Sequence, residues 1–178
     1  MVLVTMDMNM SNALKKADII PNIVSNDFTP STLLGIKFPN GEEVALGNFI
    51  KPSDSQEAPE VTFVAPDENA KYTLLMIDPD APSKEDPKWA PYRHWVLTNV
   101  PGNGDIKQAS ALDSYLGPAP PPNTGDHRYI FLLYKQPETA ANYALTKEAN
   151  KWDFQAFTQQ NNLELIGVNY FISRNDEN

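Results

Sequence analysis

The chain has 178 residues, 41% of them apolar and 21% charged, which suits one domain burying roughly 70% of its unfolded surface and not a disordered segment. Its 14 basic and 23 acidic residues leave a formal net charge of −9, a field that repels phosphate backbones and anionic bilayers and argues against a nucleic-acid partner. Cysteine is absent, so disulfides, thiolate nucleophiles and cysteine-based zinc sites are excluded and a reducing, cytoplasmic setting is expected.

The opening "MVLVTMDMNM" is interrupted by Asp7 and does not read as a signal peptide. No apolar run approaches the ~20 residues that stable membrane insertion would need. Residues 11–20, "SNALKKADII", predict a short helix capped by Ser11 or Asn12 and closed by Pro21, inside an N-terminal extension over 1–27. "STLLGIKFPNGEEVAL" predicts a hairpin turning at Asn40–Gly41. "KPSDSQEAPE" follows as a surface loop, because the residues before it are too few for a stable domain.

"EVTFVAP", "KYTLLMID", "RHWVLTNV" and "HRYIFLLYK" predict strands, the last two apolar on both faces and so central. "ANKWDFQAFTQQNN" predicts a short helix, "LELIGVNYFIS" a final strand, and residues 174–178 a frayed tail. Many strands, few helices and closely spaced turns predict a mainly β fold of two packed antiparallel sheets in one domain over 1–178.

Two connections stand out. "DPDAPSKEDPKWAPYRHW" spans 78–95 and "GPAPPPNTGDHRY" spans 117–129, and ten of the 16 prolines lie between 79 and 137. Proline fixes φ and donates nothing to a ladder, so these are stiff turns at strand ends. Asp78–Pro79 and Ala81–Pro82 are candidate cis bonds. The PxxP pattern in the second segment reads better as a rigid turn than as a docking strip.

Each residue has an ordinary reading. Asp78 and Asp80 are good turn formers, Trp89, Tyr92 and Trp95 pass as core or rim aromatics, and a lone histidine at a strand start is usually structural. Their coincidence favours one shared site. The only two histidines, His94 and His127, both open predicted strands beside these segments. Their ring N–H groups, with peptide N–H groups of the Gly117–Gly125 loop, suit a phosphate-like anion. The faces of Trp89 and Tyr92 beside Asp78 suit an ammonium, so a zwitterion matches both halves. Arg128 is expected to pair with Asp80 as a structural brace. His94, His127 and Asp78 also make a two-histidine, one-carboxylate set, but without chelate spacing, so a metal-dependent hydrolase is the weaker alternative. No G-x-S-x-G or P-loop supplies hydrolytic machinery.

On these residues the chain resembles the phosphatidylethanolamine-binding protein family, also called the Raf-kinase-inhibitor family. "DPDAPS" continuing to His94–Trp95 is similar to its first motif, and the segment through Gly125, Asp126, His127 and Arg128 to its second. The resemblance implies a large sheet packed on a smaller one. It also implies a non-enzymatic, cofactor-free pocket for phosphate-type anions or phospholipid headgroups, lined by Asp78, Trp89, Tyr92, His94, Gly117, Ala119, Pro120, His127 and Tyr129. Partners implied are a protein kinase or a serine carboxypeptidase, the latter because "YLGPAPP" and "LKKADIIPNIV" resemble fungal members that inhibit such an enzyme through an N-terminal segment. The first ten residues do not match that segment. Ala119 stands where glycine is common, Trp89 and Tyr92 exchange the usual aromatic identities, and the chain ends soon after its last strand, so a more open pocket is expected.

Overall fold

The computed structural model describes residues 2–138 and 143–175, with side chains from residue 8 onward. In chain order the elements are α1 (Val2–Lys16), β1 (Gly35–Lys37), β2 (Asn48–Phe49), β3 (Glu60–Thr62), β4 (Lys71–Asp78), β5 (Tyr92–Pro101), β6 (Ser110–Asp113), β7 (His127–Lys135), α2 (Phe154–Gln160) and β8 (Glu164–Ser173). Six strands form one sheet in the order β2-β8-β7-β4-β5-β6, and β1 pairs with β3 in a second, two-stranded sheet. The predicted mainly β, two-sheet architecture is the one observed. Its second sheet is smaller than a sandwich layer, and β2 joins β8 in parallel where an antiparallel fold was expected.

β4 and β7 lie in the middle of the large sheet, and their side chains alternate between two cores. Tyr72, Leu74 and Met76 with Tyr129, Phe131 and Leu133 meet Ile36, Phe38 and Val61 from the small-sheet side. Leu75 and Ile77 with Ile130 and Leu132 meet Leu14, Ile19, Trp152 and Phe157 on the helical side. Both faces are therefore dry, which explains the absence of a polar alternation in these strands. Each such buried side chain contributes about 1.5–3 kcal/mol of transfer free energy. The sheet is a rigid platform, and its β4 end and β7 start share one rim.

Three local expectations are corrected. The N-terminal helix runs over Val2–Lys16 instead of 11–20. No glycine or proline interrupts residues 1–20, so Ser11 and Asn12 lie mid-helix. Asp18 then turns left-handed (φ 57), with its N–H on the Lys15 carbonyl at 3.1 Å and the Ile19 N–H on that of Leu14 at 2.9 Å. That pattern closes a helix C-terminus, and buried Ile19 covers Leu14 as the motif requires.

The expected hairpin turns at Asn40–Gly41, where Gly41 has φ 98, and Phe38 N–H meets the Glu42 carbonyl at 2.8 Å. Its second arm forms only the bridge Lys37↔Glu43, because β1 takes β3 as its ladder partner. The tail was expected to fray from 174. Instead Arg174 pairs with Asp126 at 3.2 Å and covers the Phe49 ring, and Asn175 donates to the Pro120 carbonyl at 3.1 Å. Residues 176–178 lie outside the described residues.

Candidate functional site

The antiparallel register brings the end of β4 against the starts of β5 and β7: Asp78 is opposite Tyr92, and Ile77 is opposite Ile130. The two proline-rich connections rise from this rim and enclose a cavity of about 190 Å³. All nine residues expected at the pocket, Asp78, Trp89, Tyr92, His94, Gly117, Ala119, Pro120, His127 and Tyr129, line it. Ala81, Pro82, Leu116 and Pro121, not singled out in the sequence, line it too. Of the two candidate cis bonds, Ala81–Pro82 is cis and Asp78–Pro79 is not, and Ile20–Pro21 and Ala90–Pro91 are additional cis bonds.

Beneath the cavity lies a buried polar network centred on Asp78. One carboxylate oxygen accepts the Asp80 N–H at 2.7 Å, and the other accepts His127 Nδ1–H at 2.8 Å. Burial, chiefly, and the nearby Asp78 carboxylate raise the Tyr129 phenol far above its ordinary range. Asp78 thus orients His127, while the sequence reading set it beside an ammonium. On the other side of the ring, Thr124 Oγ1 lies 2.9 Å from His127 Nε2 and donates to the Pro121 carbonyl at 2.7 Å. Left-handed Asn123 (φ 63) and Gly125 (φ 72) flank Thr124 and set its direction. Both His127 nitrogens therefore have protein partners, where the sequence reading aimed them at an anion.

His94 is held differently. Its Nδ1 lies 2.7 Å from the Leu116 carbonyl. A carbonyl oxygen only accepts, so Nδ1 carries a proton and Nε2 is the ring's second valence. Tyr129 meets the imidazole edge-on at 5.3 Å and Tyr92 tilts against it at 5.4 Å. Burial is the main cause lowering the His94 pKa, opposed by the Leu116 hydrogen bond and the Asp78 and Asp113 charges.

The walls are braced from behind. Asp80 accepts two guanidinium hydrogen bonds from Arg128, at 2.9 and 2.8 Å, and the Arg128 peptide N–H at 2.9 Å. This is the pair expected from sequence, and Arg128 extends it by donating to the Ala17 carbonyl at 2.6 Å. Trp89, 42% exposed, forms the outer wall and bonds backbone to backbone with Ala81 and Lys151. Gly117 is required by the protein and not by a ligand: an added Cβ would lie 2.8 Å from Gln56 Cα. Gln56 in turn donates to the Pro118 carbonyl at 2.7 Å, so the supposed surface loop at 51–60 supports the pocket. Asp78 and His127 hold each other while His94 is directed at the Leu116 carbonyl, and among the described residues no group of three acidic or histidine side chains is placed to hold a metal ion.

A family model described as phosphatidylethanolamine-binding protein matches residues 35–171. An uncharacterised protein of Saccharomyces cerevisiae is 34% identical over 91% of this chain and 92% of its own length. The carboxypeptidase Y inhibitor of the same yeast is 28% identical over 91% of this chain and 93% of its own. Its crystal structure with the cognate proteinase superposes with a TM-score of 0.87 over 96% of this chain and 97% of that one. A phosphatidylethanolamine-binding protein from Plasmodium vivax, 26% identical, gives a TM-score of 0.79 over 93% and 97% of the two chains.

Proposed function

The chain belongs to the phosphatidylethanolamine-binding protein family, and from that premise we propose that it acts by association, not turnover, holding a phosphate-type anion or headgroup in the rim cavity. The carrying observation is the enclosure of about 190 Å³ with both of the chain's histidines in its lining. That volume is below the ~300–1,000 Å³ of sites for drug-sized ligands and suits a headgroup, not a whole lipid. In this reading His94 Nε2 and the peptide N–H groups of Gly117 and Ala119 address the ligand, Trp89 and Tyr92 wall it, and Asp78 with Thr124 fixes His127. A cytoplasmic location is part of the proposal and rests on the cysteine-free sequence.

The test follows both imidazole signals by NMR during titration with phosphorylethanolamine, assigned with His94→Ala and His127→Ala. Joint, saturable movement supports one pocket. If neither signal moves, both histidines are structural.

A second reading, inhibition of a serine carboxypeptidase, is favoured by the likeness to the yeast inhibitor over nearly the whole chain. Deleting residues 2–7 spares Met10 and Leu14, which are buried in the helical core. Equal inhibition of carboxypeptidase Y with and without those residues removes them from the mechanism.

A further inference from the structure

We propose that the free edge of β3 is a docking site for an extended, basic peptide segment of a partner protein, which adds to the β1–β3 ribbon as a third strand. The site is separate from the rim cavity and lies beside the turn that follows β5.

The backbone parity of the ribbon defines what the edge offers. Val44 gives its N–H to the Ile36 carbonyl at 2.9 Å, and Phe38 gives its own to the Glu42 carbonyl at 2.8 Å. The peptide groups of Ile36 and Phe38 therefore face away from β3. Ile36 is opposite Val61, while Gly35 and Lys37 are opposite Thr62 and Glu60. In an antiparallel ladder, opposed residues alternate between exchanging both hydrogen bonds and exchanging neither. Glu60 and Thr62 thus bond to β1, and Val64 continues that side by donating to Thr32 Oγ1 at 3.1 Å. The N–H and C=O groups of Val61 and Phe63 point outward, where no backbone group among the described residues meets them.

Nothing blocks this edge. Between Pro59 and Pro66 there is no proline and no lysine, and the β1–β3 register has no bulge, so the usual devices that protect an edge strand are missing. Val64 is 81% exposed, and Leu33, next to the Thr32 that holds it, is 51% exposed. Along the edge runs a groove of about 810 Å³, with residues 60–63 on one side and 103–107 on the other. That volume lies within the ~300–1,000 Å³ of ligand sites. The far wall is fixed by its own hydrogen bonds. Gly104 N–H meets the Pro101 carbonyl at 2.9 Å, and the Asp105 carboxylate accepts from Lys107 N–H at 3.1 Å and Gln108 Nε2 at 3.0 Å.

Charge selects the occupant. Residues 54–68 carry Asp54, Glu57, Glu60, Asp67 and Glu68 and no lysine or arginine. Among the described residues none of these five is in an ion pair. The cations of the lining, Lys37 and Lys107, each have a carboxylate at hand: Glu60 across the ladder and Asp105 two residues back. Lysines near the ends of an added strand therefore meet unpaired acid, and the net charge of −9 steers a basic segment toward the edge. A second copy fits poorly, because pairing β3 with its own copy sets the same five carboxylates against each other. Strand addition takes affinity from main-chain hydrogen bonds and specificity from alternate side chains. An antiparallel occupant accordingly carries apolar residues opposite Val61 and Phe63, lysine opposite Glu60, and an apolar residue opposite Val64.

The probe is acetyl-Lys-Val-Ile-Thr-Val-Lys-amide, whose Ile and second Val are placed opposite Phe63 and Val61. Titrated into the full chain, it is expected to shift the Val61 and Phe63 amide NMR signals saturably, with a dissociation constant of about 1 mM or below, and to leave both histidine signals in place. Methylating the peptide nitrogens of Ile and the second Val, which face β3, is expected to weaken binding at least about tenfold. Methylating those of the first Val and Thr, which face solvent, is expected to leave it nearly unchanged. Replacing both lysines of the peptide with glutamate is expected to weaken binding at least about tenfold at low salt. Val64→Lys, at an exposed position, is expected to fold normally and to weaken the lysine peptide. Equal loss from both methylation patterns, or no saturable shift at Val61 and Phe63, overturns strand addition. Equal affinity for the glutamate peptide overturns the basic assignment. Concentration-dependent shifts of the same amides without peptide, with a dimer in sedimentation, give the edge to a second copy and also overturn the proposal. None of these outcomes bears on the rim cavity, which the histidine titration tests separately.

Discussion

Asp78 and His127 stand 2.8 Å apart at the sheet rim, both almost fully buried, and each completes the other's hydrogen bonding. Asp78 also accepts from the Asp80 N–H. Replacing it with alanine strands two buried donors at once, and each stranded group costs about 1–3 kcal/mol. Asp78→Ala is expected to lose about 3 kcal/mol or more in urea unfolding, and Asp78→Asn markedly less, because the amide oxygen still accepts. Equal losses would show that the carboxylate's own charge, not its acceptor role, matters here.

The Asp80–Arg128 pair joins the pocket to the N-terminal region. Its fork has two guanidinium hydrogen bonds on the carboxylate and a third, from Nη1, on the Ala17 carbonyl at 2.6 Å, where α1 has ended. Lysine keeps the charge but cannot span both acceptors. Arg128→Lys is expected to cost about 1–3 kcal/mol and to raise amide exchange over residues 14–24 more than in β4. Uniform acceleration across both would mean that the brace serves global stability alone.

How far the sequence anticipated this arrangement depends on where each constraint resides. β4 and β7 match the predicted strands residue for residue, because burial on both faces leaves a continuous apolar run. β2 and β6 carry no such pattern: exposed edge pieces are defined by β8 and β5, their partners, and not by their own residues. The helix limits were misread because Asp18, not proline or glycine, takes the left-handed position that ends α1. In the pocket, nine lining residues were legible from motif and proline pattern. The partners that decide what the histidines can do, the Leu116 carbonyl and the Thr124 hydroxyl, were not. A backbone carbonyl has no residue signature, and Thr124 acquires its direction from two left-handed neighbours.

Gly117 and Gly125 belong to one loop and predict different failures. A Cβ at Gly117 meets backbone at 2.8 Å, and such overpacking typically costs about 1–3 kcal/mol. At Gly125 nothing lies within 4 Å and only the φ of 72 resists a side chain, a cost of about 1–2 kcal/mol. Gly117→Ala is expected to displace the 52–56 turn and weaken phosphate binding. Gly125→Ala is expected to lose stability with a smaller effect on the 52–56 turn. Amide chemical-shift changes at Gln56 in the first variant but not the second would confirm the distinction.

Burial of His94 gives stability a defined pH dependence. Its folded pKa is lowered below the ordinary 6.5, burial being the leading cause. The unfolded chain therefore binds a proton more readily, and the contribution is fully present above pH 6.5. It is lost as pH falls below that value toward the folded pKa, with a slope of at most about 1.4 kcal/mol per pH unit for one site. Carboxylates titrate lower, so the upper part of this window belongs to histidine. Urea unfolding between pH 5.5 and 7.5 is expected to weaken with falling pH in the wild type and to flatten in His94→Gln. A wild-type slope that persists unchanged in His94→Gln would assign the titration to another group.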